Sequence, residues 1–280
     1  MSLKASFEPY QLNFRFTAKT SRGTMHKHYA HFLKIWDSEN PEMTGIGEAS
    51  PLPGLSPDFH RIKNELKSLC DSIGDYQTPR SVEEVYQIFD QLVSPDLPAI
   101  RFALETALLD LYNGGVRSIF PLKSSTNRGA VPINGLIWMG SQKFMKQQID
   151  QKIAEGYDCI KMKIGALDFN LECELLEYVR SNYDANLVLR VDANGAFKPE
   201  EASSKLRSLC QFDLHSIEQP ISPGQWDIMR ELSNASMVPV ALDEELIGIQ
   251  DKQKEALLDS TKPRYLVLKP TLLGGVRETR

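Results

Sequence analysis

Cysteine is scarce, and the four present, Cys70, Cys159, Cys173 and Cys210, lie far apart with no C-x-x-C pair. No histidine stands at a spacing that would complete a zinc site with them, so neither a disulfide framework nor a structural zinc is indicated. Buried free thiols in a reducing compartment are expected. Positive charge is lacking too: 32 Lys and Arg face 37 Asp and Glu, for a net charge of −5. A nucleic-acid binder needs a basic stripe to displace counterions, and none is present. Any anionic substrate must therefore meet a few locally placed cations. Long uncharged apolar runs are absent, which argues against a bilayer span, and the opening MSLKASFEPYQLNF holds no apolar core of signal-peptide length. A cytoplasmic protein without nucleic-acid or membrane partners is expected. No G-x-G-x-x-G follows a strand-like run, which argues against a dinucleotide enzyme.

The first part of the chain reads as strands followed by helices. Residues 6–16 and 28–37 are aromatic and aliphatic with partial alternation, and 45–50 follow a polar turn, as in an antiparallel meander. Ser56-Pro57 predicts an N-cap and a first-turn proline ahead of Phe59, Ile62, Leu66 and Leu69. Ser81 with Glu84 predicts a capping box, and Pro98–Tyr112 predicts a buried helix stopped by Gly114-Gly115. From Val131 the texture changes to six short apolar runs separated by helical patterns, among them a helix after Ser141 and one opening at Pro199. Such alternation implies βαβ units and a parallel sheet. An α/β chain is expected, with an α+β domain over 1–125 and a parallel (β/α) domain over 126–280.

Ionisable residues close the last five of these runs: Lys163, Asp192, Glu218, Asp243 and Lys269, at successive separations of 29, 26, 25 and 26 residues. One acid or lysine at a strand end is an ordinary loop residue, but one per βα unit places all five on the face where parallel barrels keep their active sites. Three carboxylates converging there would repel one another, and a hard divalent cation such as Mg²⁺, which prefers oxygen ligands, removes that conflict. At the fifth run the acids Asp243, Glu244 and Glu245 are all available. Strand alternation points Lys161 with Lys163, and Arg190 with Asp192 and Asn194, towards the same interior.

The K-x-K of 161–163, VDAN around Asp192, SIEQP around Glu218, LDE from Asp243 and LKP ending in Lys269–Pro270 resemble the enolase superfamily, muconate-lactonizing subgroup. GIGEASPLPGLS at 45–56 resembles a loop of that family's capping domain. Within the subgroup, PLPGLS, INGLIWMG, LHSIEQPI and ALDEELIGI resemble the o-succinylbenzoate synthases. The resemblance implies an N-terminal capping domain followed by a modified TIM (β/α) barrel. It also implies a lyase that dehydrates 2-succinyl-6-hydroxy-2,4-cyclohexadiene-1-carboxylate, a small dicarboxylate on the route to menaquinone. By motif, Asp192, Glu218 and Asp243 would bind Mg²⁺, for which Mn²⁺ is an alternative. Lys163 would be the general base, and Lys269 would stabilise the enediolate. Lys161, Arg190, Asn194 and the capping-loop residues Leu52, Leu55 and Ser56 are candidate substrate contacts. A dipeptide epimerase or N-acylamino acid racemase of the same subgroup would use the same two lysines. The family's barrel continues past the LKP strand while this sequence stops at GGVRETR, so a barrel truncated after its sixth strand, in a fragment of a longer protein, is expected.

Overall fold

The computed structural model describes residues 2–20, 23–120 and 130–280. The expected boundary between 125 and 126 lies outside the described residues. Two compact units form, and neither is one continuous stretch. The first holds residues 1–13, 27–130 and 268–280, and the second holds 14–26 and 131–267.

A three-stranded sheet is ordered β1 (Leu3–Thr20), β2 (Gly23–Asp37) and β3 (Asn40–Ala49), and the first unit holds β3 with residues 3–13 of β1 and 27–37 of β2. β2 and β3 pair antiparallel from His31 opposite Ala49 to Trp36 opposite Thr44. The meander is as expected, with strands longer than the alternating pattern alone marks. Three helices follow: α1 (Ile62–Ser72), α2 (Val82–Leu92) and α3 (Pro98–Tyr112). α3 is apolar on most sides because it is the centre of the core, where Ile100, Leu104 and Leu108 meet Leu33 and Ile35 of the sheet, Leu66 of α1 and Phe89 of α2. Gly45 and Gly47 let β3 lie directly on this helix, since a Cβ at either would strike the carbonyls of Ala107 and Ala103.

One expected helix start is corrected. Ser56 does not cap α1, because its hydroxyl accepts the Leu52 N–H at 2.8 Å and closes the 52–56 loop, so the helix begins only at Ile62. Ser81 does cap α2, accepting the Glu84 N–H at 3.2 Å. Glu84 returns its carboxylate to the N–H of Arg80, one residue before the position a capping box uses.

The second unit carries six parallel strands: β4 (Gly135–Ile137), β5 (Cys159–Lys163), β6 (Val188–Asp192), β7 (Ser216–Glu218), β8 (Val240–Leu242) and β9 (Tyr265–Leu266). Their order in the sheet is their order in the chain. Between them run α4 (Gln142–Ala154), α5 (Phe169–Asn182), α6 (Pro199–Leu209), α7 (Trp226–Ala235) and α8 (Asp251–Thr261). Ser141 caps α4 through the Phe144 N–H at 3.3 Å, and Pro199 opens α6. Each pair of sequential strands is thus joined through one helix, the βαβ connection that parallel neighbours require. A dinucleotide fold would need a reversal of strand order, and the described sheet has none.

A last short helix, α9 (Pro270–Leu273), belongs to the first unit. All four cysteines are free thiols, and each is only partly buried, which corrects the expectation of buried ones. Among the described residues no helix is long and apolar enough to cross a membrane.

Candidate active site

Parallel pairing sets the site. Lys163 stands opposite Asp192 on β6, and Asp192 opposite Glu218 on β7, so three strand ends present ionisable groups in one row. Ladder bonds continue one residue further: Ile164 N–H donates to Asp192 O at 2.9 Å and Ala193 N–H to Glu218 O at 3.0 Å. The carboxylates therefore sit on fixed main chain. Asp243 follows β8 by one residue, at the entry to a 3₁₀ turn over Glu244–Leu246.

Alternation along β5 does what period two predicts. Met162 is buried on one side, while Lys161 and Lys163 both reach Asp192 on the other, at 3.5 and 2.5 Å. Lys161 also reaches across to Glu218 Oε2 at 2.7 Å. Asp192 and Glu218 are buried, so each needs an adjacent positive charge or several donors to stay ionised. Burial on its own would push the Lys161 pKa down. The carboxylates of Glu218 and Asp192, with Asp243 contributing, outweigh it and hold Lys161 above the ordinary lysine value.

Asn194 joins the cluster by an unexpected route. The strand has ended and its φ is +46°, in the left-handed region, yet its Oδ1 accepts from Lys163 Nζ at 2.9 Å and its Nδ2 donates to Glu244 Oε1 at 3.0 Å. Lys163 is thus held by Asp192 on one side and Asn194 on the other. Gln219, fully buried at φ +40°, was not anticipated in any role. Its Oε1 accepts the N–H groups of Asp243 and Glu245 at 3.2 Å each, and its Nε2 donates to Ile221 O and to Glu245 Oε2. Glu245 in turn accepts the Gly224 N–H at 2.7 Å, which commits it to holding the loop. The only sequence signal for Gln219 was its place beside Glu218 in the SIEQP string.

Arg190 lies two residues before Asp192 and faces the same way. With Lys161, Glu218, His215, Ser216 and Tyr265 it lines a cavity of about 350 Å³, and its Nε is buried without a hydrogen-bond partner. His215 stacks on Tyr265 with ring centroids 4.6 Å apart.

The remaining candidates belong to the first unit. Leu52 and Leu55 are half-buried in the loop that Ser56 closes. Lys269 does not end the sixth strand as expected. β9 stops at Leu266, and Lys269 is the N-cap of α9, its carbonyl accepting the N–H groups of Leu272 and Leu273 at 2.8 and 3.0 Å.

Asp192, Glu218 and Asp243 offer only hard oxygen donors, two at the ends of β6 and β7 and one just after β8, which is the donor chemistry that suits Mg²⁺. Lys161 supplies the cationic partner that two of these acids require. Among the described residues no three acidic, histidine or cysteine side chains are arranged as a finished ligand cluster. The donor set fits such an ion by its chemistry.

Comparison with known proteins gives concordant results. The family model described as Enolase C-terminal domain-like matches residues 145–280. The chain is 42% identical over 296 aligned residues to the o-succinylbenzoate synthase of Desulfotalea psychrophila, covering 98% of this chain and 80% of that one. The crystal structure of MenC from Desulfotalea psychrophila LSv54 superposes with a TM-score of 0.83 at 38% identity, over 100% of this chain and 81% of that one. The o-succinylbenzoate synthase of Thermosynechococcus elongatus BP-1, solved with Mg in its active site, shares the fold at 21% identity with a TM-score of 0.75, over 98% and 78% of the two chains.

Proposed function

The chain belongs to the o-succinylbenzoate synthase family of the enolase superfamily, and from that premise we propose that it dehydrates 2-succinyl-6-hydroxy-2,4-cyclohexadiene-1-carboxylate to o-succinylbenzoate. The six sequential parallel strands belong to a modified (β/α) barrel that follows an α+β capping domain in the sequence. The observation that carries the reading is the row of Lys161, Lys163, Asp192 and Glu218 at adjacent parallel strand ends.

Asp192, Glu218 and Asp243 are the residues that would hold Mg²⁺. When bound, the ion supplies Lewis-acid stabilisation to the carboxylate whose neighbouring carbon loses a proton. Lys163 is the base. It accepts the proton on Nζ, a nitrogen placed by its contacts with Asp192 and Asn194. The C–H bond breaks, the electron pair forms the new ring double bond, and the hydroxyl departs with the proton that Lys163 returns, leaving water and an aromatic ring. Lys269 contributes its positive charge to the second negative charge that develops on the substrate carboxylate. Asn194 keeps Lys163 and Glu244 in register, and Gln219 fixes the main chain at Asp243. Lys161 and Arg190 are cations for the substrate's anionic groups, while Leu52, Leu55 and Ser56 are contacts from the capping loop.

The test is turnover of purified protein with Mg²⁺ and the cyclohexadiene substrate, run beside a dipeptide and N-acylamino acid panel. Loss of the diene absorbance with formation of o-succinylbenzoate is expected. Turnover confined to the dipeptides or N-acylamino acids would replace this reading with that of an epimerase or racemase.

A further inference from the structure

We propose that Glu105 is a positioning residue for Lys269, acting through the turn that follows α9; this rests on the role given to Lys269 above. Glu105 sits within α3 and is fully buried. A buried carboxylate is costly unless donors meet its oxygens. Oε1 accepts from the Tyr86 hydroxyl at 3.1 Å and from the Arg277 N–H at 2.9 Å, and Oε2 accepts from the Val276 N–H. Two of its three donors are thus main-chain groups of the segment 268–280, which folds with α3 in the first unit.

Glycines make the approach possible. Gly274 and Gly275 adopt φ of +99° and +137°, and a Cβ on Gly275 would collide with Glu105 Oε2. Hydrogen bonds continue back along the chain from there. The N–H groups of Gly274 and Gly275 meet the Pro270 carbonyl at 3.1 and 2.9 Å, and those of Leu272 and Leu273 meet the Lys269 carbonyl at 2.8 and 3.0 Å. An unbroken line of bonded main chain therefore leads from the buried carboxylate to Lys269. Arg277 adds an outer clasp, paired with Asp90 through both terminal nitrogens and lying 4.7 Å over the Tyr86 ring.

Burying an anion to fix two peptide N–H groups serves precision, and a cation that must meet a developing charge loses much of its effect when displaced by even about an ångström.

The full chain is compared with Glu105→Gln, Gly275→Ala and Lys269→Ala by hydrogen exchange and steady-state kinetics. Glu105→Gln keeps the size but offers a single acceptor oxygen. Gly275→Ala pushes the turn off Glu105 and covers the case in which Glu105→Gln fails to fold. Expected are faster amide exchange confined to 272–277 and a fall in kcat of about tenfold, with KM changed by less than about twofold. Unchanged exchange overturns the proposal, and so does faster exchange with unaltered kcat while Lys269→Ala is inactive. Undiminished turnover in Lys269→Ala instead overturns the role of Lys269 itself, which separates the two failures.

Discussion

Lys161 on β5 places its Nζ 2.7 Å from Glu218 Oε2 on β7, reaching over the intervening Asp192, which it also approaches at 3.5 Å. One ammonium therefore serves two buried carboxylates. Removing it leaves both acids more poorly compensated, and breaking such a pair costs more than the pair contributes as a unit.

Lys161→Met should accordingly destabilise the metal-free protein by about 2–4 kcal/mol, below the range for fully buried pairs because the lysine retains some solvent contact. Urea unfolding in EDTA measures it. Added Mg²⁺ should recover part of the loss by binding the native state. A variant as stable as the wild type in EDTA would mean that the pairing has no energetic weight.

Glu172, buried at the start of α5, provides a pH test. Its Oε1 accepts the N–H groups of Gly165, Ala166 and Leu167 at 2.6, 3.2 and 3.1 Å, holding the loop that follows β5. Burial raises its pKa above the ordinary glutamate value, opposed in part by those three N–H groups. A folded pKa above the unfolded one means a stabilising contribution that is present below the unfolded value and lost as pH rises through the folded one. Glu172→Gln keeps an acceptor oxygen without the charge. Its stability relative to wild type should therefore improve between acidic and neutral pH, read from urea midpoints at each. Glu172→Ala should lose about 1–3 kcal/mol because the three N–H groups are left without their acceptor.

Cys70 is a free thiol on α1 whose pKa burial pushes up to about 11. At pH 8 only about one molecule in a thousand would carry the reactive thiolate. Cys70 should react with a disulfide reagent far more slowly than a free cysteine in peptide form. Peptide mapping of the labelled protein gives its rate, and labelling as fast as the peptide would contradict this environment.

Much of this organisation is legible in the sequence where local chemistry decides it. Helix α3 has the bounds its apolar run and glycine stop predict, Ser81 and Ser141 cap, and Lys163, Asp192 and Glu218 end their strands. Local rules fail where a distant group competes. Ser56 has the composition of a cap, but the Leu52 N–H takes its hydroxyl. Lys269 looks like a strand end because it lies in the apolar run RYLVLKPTLL, but pairing stops at Leu266 and the next residues turn onto α3. Glu105, Glu172 and Gln219 give no periodic or spacing signal. Each accepts peptide N–H groups from another segment, and only the folded chain shows which.

In the proposed reaction Lys163 takes the proton while the three acids hold the metal. Lys163→Ala separates the two roles when Mg²⁺ binding is measured by calorimetry alongside dehydration of the cyclohexadiene substrate. Turnover should fall by at least about a thousandfold while Mg²⁺ affinity changes little. Turnover close to that of the wild type, or loss of Mg²⁺ binding as the sole defect, would contradict it.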